Sequence, residues 1–293
     1  MKLIHYVVNG ERKYGFLVGG RIIVSDLISE ILGIDLPKDI LDFILRWSEI
    51  NINLTLLKGF EELLEGSILL QNLERILAPI THPPKIICLG LNYSTHTKEW
   101  KVKPPSEPIV FMKPRTTIIG PFDDIFSPSI TKELDYEVEL AVIIGKECKR
   151  ISEYEASEYI LGYMVLNDIT ARDLQRREKQ WFMGKGMDTF APIGPWIVTK
   201  DELNLNNLRL TTKVNGMLRQ DGSTRDMIFK VDYLISWLSK GITLEPGDII
   251  STGTPSGVGA YMDPPSFLKE GDVIEANIEG IGSLRNKIKF EKI

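Results

Sequence analysis

The sequence predicts an α+β protein with a small leading domain, residues 1–80, and a larger strand-rich domain, residues 81–293. The chain opens with short strands joined by tight turns, beginning with KLIHYVV. Apolar residues at helical spacing follow in LPKDILDFILRWSEI, and LLKGFEELLE is a second candidate helix. The connector THPPK then marks a boundary, because paired prolines neither continue a helix nor donate to a sheet.

The larger domain is rich in strand and turn signals. A hairpin is expected at Asn215-Gly216, since both residues tolerate the positive φ of a tight turn. A helix is expected in DMIFKVDYLISWLSKG, with Ser223 or Thr224 as its cap and Gly241 at its end. Four apolar runs predict strands; they are KIICLGL, PIVFM, DYEVELAVIIG and LGYMVLND.

Composition excludes several classes of protein. A net charge of −5 over 293 residues lacks the basic footprint of a nucleic-acid binder. Two distant cysteines argue against a disulfide framework, and no apolar run is long enough to span a bilayer. With only three histidines, a metal would need mostly carboxylate ligands, which favours Mg²⁺, Mn²⁺ or Ca²⁺ over zinc. The expectation is a soluble cytoplasmic protein.

The phrase DYEVEL places three carboxylates two residues apart. On a strand, alternate side chains share a face, so Asp135, Glu137 and Glu139 would lie in a row. One interpretation is a half-exposed strand whose polar side meets water. The other is a cation site, because adjacent like charges repel and the following AVIIG is typical of a buried segment.

A further carboxylate, Asp168, ends the apolar run LGYMVLND, and a helix is predicted to begin at Thr170. Asp168 either caps this turn or lines a pocket. Together with Glu137 and Glu139 it would supply three oxygen ligands to a divalent ion. Such an ion would keep open positions for a chelating substrate, as activating metals do.

Two segments carry other polar groups suited to catalysis. Lys185 stands between Gly184 and Gly186, where a lysine can neutralise an oxyanion or enolate; the alternative is an ordinary exposed lysine. His96 and Glu99 share a face of a predicted helical turn, so the carboxylate can polarise the imidazole. The alternative for this pair is a solvent-facing contact.

A glycine-rich loop follows a strand in STGTPSGVG. It lacks the G-K-[ST] of a phosphate-binding loop, and no clear helix follows, which argues against nucleotide binding. The loop is expected to present backbone N–H groups and the hydroxyl of Thr254 to a small anionic group.

With these phrases in place, residues 81–293 resemble the fumarylacetoacetate hydrolase (FAH) superfamily. Any one phrase is weak, whereas the ordered set is highly specific. The resemblance implies a mixed β-roll surrounded by helices, usually a homodimer, with residues 1–80 as the smaller, variable leader. The matching phrases are CLGLNYSTHTKE, FMKP, DYEVELAVIIG, NDITARDLQ, KGMDTFAPIGPWIV, VNGMLRQDGSTRDMIF, LEPGDIISTGTPSGVG and EGIGSLRN.

The resemblance also implies roles for individual residues. Glu137, Glu139 and Asp168 would hold Mg²⁺ or Mn²⁺, and His96 with Glu99 would be the water-activating pair on a mobile lid. The implied substrate contacts are Lys185, Gln175 and Thr254, with Lys113 of FMKP also facing the site.

Two departures argue against fumarylacetoacetate itself as the substrate. Residues 88–93 contain no acid, where fumarylacetoacetase has an extra aspartate ligand. Lys179 aligns with a tyrosine that fumarylacetoacetase uses for substrate binding. Both differences favour the smaller bacterial and archaeal branch, which includes acylpyruvate and fumarylpyruvate hydrolases, oxaloacetate decarboxylases and 2-hydroxyhepta-2,4-diene-1,7-dioate isomerases.

The resulting hypothesis is a metal-dependent enzyme that acts on small 2-oxo acids. The substrate would chelate the metal through its carboxylate and 2-oxo oxygens, and Lys185 would stabilise the enolate. Water activated by His96 and Glu99 would then cleave an acylpyruvate; without water attack, the enolate would serve isomerisation or decarboxylation. A 2-keto-3-deoxy sugar-acid dehydratase and a non-catalytic binding module are the other classes left open.

Overall fold

Strands dominate residues 1–50, 66–177 and 179–291, which are the residues that the computed structural model describes. They are β1 (Lys2–Val8), β2 (Glu11–Val18), β3 (Arg21–Val24), β4 (Ile68–Leu69), β5 (Arg75–Ile76), β6 (Ile86–Gly90), β7 (Ile109–Met112), β8 (Ile118–Ile119), β9 (Ile125–Ser127), β10 (Leu134–Asp135), β11 (Val138–Ile144), β12 (Ile160–Asn167), β13 (Thr170–Ala171), β14 (Ala191–Thr199), β15 (Arg209–Val214), β16 (Met217–Ser223), β17 (Ile249–Ser251), β18 (Val273–Ile278) and β19 (Gly282–Phe290).

The α-helices of the described residues are short. They are α1 (Ser25–Leu32), α2 (Ile40–Leu45), α3 (Ser94–Glu99), α4 (Arg172–Arg177), α5 (Phe182–Lys185) and α6 (Val231–Gly241). None of them is long and apolar enough to cross a membrane. The mixture of many strands and few helices confirms the predicted α+β class.

The large sheet joins the leading segment to the rest of the chain. Its strands follow the order β4-β3-β2-β1-β14-β12-β11-β17-β6-β7, with β5 paired to β1 and β8 paired to β14. The link is the antiparallel pair β1–β14, in which Lys2 faces Val198. A second sheet has the order β16-β15-β18-β19-β9, and β10 pairs with β13. The strands before THPPK thus extend the large sheet, while the domain boundary itself stays a prediction.

Central strands β11 and β12 are buried along their whole length. Alternate residues of β11 enter different clusters: Leu140 and Val142 pack with α6 residues such as Leu234, whereas Ala141 and Ile143 pack with leader residues. Because both faces of the sheet are covered, these strands read as continuous apolar runs rather than alternating ones.

The region of DYEVEL differs from the single strand that the sequence predicts. β10 ends at Asp135 and pairs with β13, while β11 begins at Val138, so Glu137 lies in the break between two sheets. Asp135, Glu137 and Glu139 are all buried, so the half-exposed interpretation is wrong. Long-range pairing, rather than strand periodicity, decides where these carboxylates point.

Several element boundaries also differ. Thr170 lies in β13, and α4 begins two residues later, because pairing with Leu134–Asp135 keeps the chain extended. Helix α6 begins at Val231 without a side-chain cap, and Ser223 instead caps the short 3-10 turn at 224–226. The hairpin at Asn215-Gly216 is confirmed, with φ of 51° and 79°. The candidate helix LLKGFEELLE lies outside the described residues.

Candidate active site

Most of the predicted site residues line one small cavity. Its volume is about 10 Å³, about the room that one water molecule needs. The lining residues are Leu89, Gly90, Leu91, His96, Trp100, Phe111, Glu137, Glu139, Gln175, Trp181, Lys185 and Thr254. Glu99, Lys113 and Asp168 do not line the cavity but contact residues that do.

Backbone hydrogen bonds bring the acidic residues together. The N–H of Asp168 donates to the carbonyl of Glu137 at 2.8 Å, and the N–H of Glu137 donates to Asn167 Oδ1 at 3.0 Å. Glu139, at the start of β11, stands opposite Leu166 of β12. One carboxylate oxygen from each of Glu137, Glu139 and Asp168 lies within 4.8 Å of the others. The three carboxylates that the sequence singled out are therefore neighbours in space.

Three buried cations surround this carboxylate cluster, defined as Glu137, Glu139 and Asp168. Lys185 Nζ donates to Glu137 Oε2 at 2.7 Å and to Asp168 Oδ2 at 2.6 Å. Lys113 Nζ lies 2.6 Å from Asp168 Oδ1, and Arg172 Nη2 lies 2.6 Å from Glu137 Oε1. The exposed-lysine interpretation of Lys185 is thus wrong.

Opposite pKa shifts separate the two glutamates. Burial disfavours ionisation of Glu137, but the charges of Lys185 and Arg172 outweigh it and lower the pKa of this carboxyl to about 2. Burial, together with the neighbouring Asp168 and Glu137 carboxylates, raises the pKa of Glu139 well above its usual range. Burial also opposes the charge on Lys185, yet Asp168 and Glu137 raise the pKa of its ammonium, which keeps it protonated.

The donor set fits a divalent, oxygen-binding cation. Its members are all carboxylates, the ligands that Mg²⁺ and Mn²⁺ prefer. Glu139 is held in place through one oxygen, Oε2, which accepts from Ser251 Oγ at 2.6 Å and from Gly253 N at 2.9 Å. The negative charges of Asp168 and Glu137 repel an ionised Glu139 and so help to raise its pKa, and a bound cation would remove this repulsion.

His96 and Glu99 form a buried pair on α3. His96 Nδ1 is 2.9 Å from Glu99 Oε2, and Glu99 Oε1 accepts from Gly257 N at 2.8 Å. The imidazole is only 4% exposed, so the solvent-facing interpretation is wrong. A carboxylate only accepts hydrogen bonds, so an ionised Glu99 places the hydrogen on Nδ1 and makes Nε2 the basic nitrogen.

The other three predicted substrate contacts differ in whether they line the cavity and in what they bond to. Gln175 lines the cavity while its Oε1 accepts from Arg172 Nη1 at 3.1 Å. Thr254 also lines the cavity, but its hydroxyl donates to Val138 O at 2.8 Å, so this proton is not presented to an anion as expected. Lys113 is turned toward Asp168 and toward the carbonyl of Lys185.

Sequence reasoning did not assign Arg172 or Gln220. Arg172 is 2% exposed, and its Nε donates to Asp135 Oδ2 at 2.8 Å. Asp135 also accepts the N–H of Gly259, which ties the glycine-rich loop to Arg172 through Asp135. Gln220 Nε2 donates to Thr254 Oγ1 at 2.8 Å. A basic residue directly after NDITA was the available signal for Arg172; nothing local marked Gln220.

Comparison with known proteins identifies the family. Residues 85–289 match the family profile described as fumarylacetoacetate (FAA) hydrolase C-terminal. The chain belongs to the FAH superfamily. This confirms the resemblance seen in the ordered sequence phrases.

Relatives of this FAH-superfamily chain carry enzyme names. It is 48% identical over 214 residues, 72% of its length, to oxaloacetate tautomerase Fahd2a, mitochondrial, of Rattus norvegicus, of which it covers 68%. A solved fumarylacetoacetate hydrolase from Exiguobacterium antarcticum is 38% identical, with a TM-score of 0.85 over 99% of this chain and 100% of that one. Maleylpyruvate hydrolase from Sphingobium sp. SYK-6, solved with manganese(II) and pyruvate, is 29% identical, with a TM-score of 0.78 over all of both chains. The protein is therefore an enzyme of the FAH superfamily.

Proposed function

We propose that the protein is a divalent-metal-dependent enzyme that acts on small 2-oxo acids through an enolate. The observation that carries the proposal is the buried carboxylate cluster with a lysine ammonium against it. Lys185 Nζ lies 2.7 Å from Glu137 Oε2 and 2.6 Å from Asp168 Oδ2. Mg²⁺ or Mn²⁺ held by Glu137, Glu139 and Asp168 would polarise the carboxylate and 2-oxo group of the substrate. The similarity to a hydrolase solved with manganese(II) and pyruvate supports this choice of ligand class.

Three residues of the chain would each have a separate role in forming the enolate. His96 Nε2 takes the proton from C3, the C3–H electron pair forms the C2–C3 double bond, and the negative charge moves to the 2-oxo oxygen. Lys185 stays protonated and stabilises that charge. Glu99 holds the imidazole by Nδ1 and stabilises its protonated form.

The reaction that we favour is keto–enol isomerisation of oxaloacetate or a close analogue. It needs only this proton transfer and its return to the enolate oxygen, and the relatives at 48% identity are named oxaloacetate tautomerases. The family phrases of the sequence are common to all branches and do not distinguish this reaction from the others.

Hydrolysis of an acylpyruvate is the second candidate. His96 lines a cavity with room for about one water molecule, so the same basic nitrogen can activate water instead of taking the C3 proton. The two candidates differ only in what His96 deprotonates, and the product separates them.

An ultraviolet assay of enol absorbance, coupled to pyruvate detection, tests both candidates. Freshly dissolved oxaloacetate, acetylpyruvate, fumarylpyruvate and 2-hydroxyhepta-2,4-diene-1,7-dioate would each be measured with Mg²⁺, with Mn²⁺ and with EDTA. Metal-dependent keto–enol equilibration of oxaloacetate without pyruvate supports the tautomerase. Pyruvate release from an acylpyruvate supports the hydrolase, and no metal-dependent change with any compound contradicts the proposal.

Three further properties remain predictions: Mg²⁺ as the native metal and a homodimer, which the resemblance implies, and a cytoplasmic location, which composition suggests. Calorimetric titration with Mg²⁺ and Mn²⁺ would rank the two metals. Light scattering after gel filtration would determine the oligomeric state.

A further inference from the structure

Half of the cavity lining has no part in the proposed chemistry. Six lining residues are apolar or aromatic: Leu89, Gly90, Leu91, Trp100, Phe111 and Trp181. Two of them are in contact near the reacting groups. The rings of Phe111 and Trp181 meet edge to face with centroids 5.6 Å apart, and Lys185 Nζ lies 5.4 Å from the Phe111 centroid. An apolar wall therefore begins beside the ammonium that would meet the substrate.

Trp181 has an unusual backbone for a tryptophan. Its φ of 57° and ψ of −1° are left-handed, a conformation that side chains larger than glycine rarely adopt. Its carbonyl accepts the N–H groups of Gly184 and Lys185, each at 3.0 Å, so it opens the helix that carries Lys185. Strained positions of this kind are concentrated at functional sites.

Gly90 leaves room for the indole. A Cβ at this position would lie 2.6 Å from Cζ3 and 2.9 Å from Cη2 of Trp181, whereas Cγ2 of Ile109 would be 3.5 Å away, an ordinary contact. Of these two neighbours, a side chain at residue 90 would collide with the indole and not with Ile109. Glycine at the end of β6 and the left-handed Trp181 together place the ring against the cavity.

We infer that Trp181 is the specificity-determining residue of this site, an inference that rests on the proposed function. The polar residues of the cavity would take the carboxylate and the 2-oxo group, which leaves the apolar wall for the distal end of the substrate. With the indole seated over Gly90 and against Phe111, that end must be short. The enzyme therefore takes short 2-oxo acids and excludes those with longer distal chains.

Binding of a ligand series tests this inference without requiring turnover. Pyruvate, 2-oxobutanoate, 2-oxohexanoate and 2-oxooctanoate would be titrated calorimetrically, with Mn²⁺ present, into the parent protein and Trp181→Ala. The parent is expected to lose affinity at 2-oxohexanoate and 2-oxooctanoate, which are longer than oxaloacetate and acetylpyruvate. In the variant, each added methylene is expected to gain about fourfold, the usual value for a buried methylene. Trp237→Ala, at a half-buried tryptophan of α6 that does not line the cavity, is the matched control and keeps the parent profile.

The failures of the inference and of the proposed function are distinguishable. Mn²⁺-dependent binding of pyruvate, with the same length profile in Trp181→Ala and the parent, overturns the inference alone. Absence of Mn²⁺-dependent binding for every acid, pyruvate included, overturns the proposed function and the inference with it.

A double-mutant cycle checks the geometry independently. Gly90→Ala in the parent forces the indole to shift and is expected to weaken pyruvate binding about tenfold, the lower range for overpacking a tight site. In the Trp181→Ala background, the collision with the indole is removed and Ile109 lies at ordinary contact distance, so the same change has little effect. Equal effects of Gly90→Ala in both backgrounds overturn the inference, and circular dichroism checks that each variant is folded.

Discussion

The carboxylate cluster and helix α3 face the same cavity but are held in different ways. Buried ion pairs hold the cluster, including the pair of Lys113 with Asp168, whose side chains are both fully buried. Helix α3 has six residues, and two hydrogen bonds connect it to the glycine-rich loop. Gly257 N donates to Glu99 Oε1 at 2.8 Å, and Ser256 N donates to Thr95 Oγ1 at 3.4 Å. Electrostatics thus fixes the first region, and a few directional bonds fix the second.

This difference predicts different responses to mutation. Removing one member of a buried ion pair leaves an uncompensated charge, which costs about 3–5 kcal/mol in known cases. Losing one hydrogen bond costs about 1–3 kcal/mol when a buried group is left unpaired. Changes in the cluster should therefore alter metal binding, activity and stability together. Changes in α3 should alter activity while metal binding survives.

The largest effect is expected for Glu139→Gln. Loss of a ligand forfeits several kcal/mol of metal-assisted stabilisation, or about a thousandfold in kcat/KM. Steady-state assays with Mn²⁺ measure this loss, and Glu147→Gln, an exposed residue three positions beyond β11, is the matched control. Near-normal activity of Glu139→Gln would show that this carboxylate is not a metal ligand.

The same variant makes a stability prediction of opposite sign. Because the pKa of Glu139 is raised in the folded protein, the stability contributed by its protonated form is lost as pH rises through that pKa. Above it, the charged Glu139 destabilises the metal-free protein, and a neutral glutamine removes this penalty. Metal-free Glu139→Gln is therefore expected to melt at a higher temperature than the parent and to gain nothing from Mn²⁺. A lower melting temperature in calorimetry would contradict the charge argument.

Lys185→Met, beside the cluster but not a member of it, should separate catalysis from metal binding. Without the ammonium, the enolate loses its stabilising charge, and kcat is expected to fall by about 100- to 1000-fold. Glu137 and Asp168 lose their shared cation, so Mn²⁺ affinity is expected to stay the same or rise. Steady-state assays measure kcat, and calorimetric titration measures Mn²⁺ affinity, with exposed Lys287→Met as the control. A parallel loss of Mn²⁺ affinity would mean that Lys185 is mainly structural.

The same contrast explains what the sequence could predict. Local patterns sufficed for β1, α3, the hairpin at Asn215-Gly216 and the pairing of Glu137 with Glu139, since each depends on spacing within one phrase. Asp168 was added because it ends a second apolar run. The break of DYEVEL before Val138 was not predictable locally, because it depends on the pairing of β10 with β13.

Contacts across the chain are the part that sequence reasoning missed. Arg172 meets Asp135 from 37 residues away, and Trp181, at the start of α5, meets Gly90 at the end of β6. Periodicity carries no signal for such pairs, and Gly90 resembles any turn glycine until its neighbour is known. The wall of the cavity is therefore less predictable than its polar residues.

His96→Ala tests the second region. Removing the base is expected to lower kcat by about a hundredfold, within the range for acid–base catalysis. Binding of Mn²⁺ and of oxalate should persist, because His96 bonds to Glu99 rather than to the cluster. Exposed His82→Ala is the matched control. Loss of oxalate binding together with activity would show that His96 holds the ligand instead of moving a proton.

The smallest effect is expected for Glu99→Gln. The amide oxygen can still accept from Gly257 N, so α3 keeps its fastening to the glycine-rich loop. A neutral amide stabilises a protonated imidazole less than a carboxylate does. The loss in kcat is expected to be about tenfold, the lower end of the range for groups that orient a metal-binding histidine. Steady-state assays of kcat with Mn²⁺ measure the change. Exposed Glu107→Gln is the control. A loss as large as that of His96→Ala would mean that Glu99 takes the proton itself, and the division of roles between the two residues would be reversed.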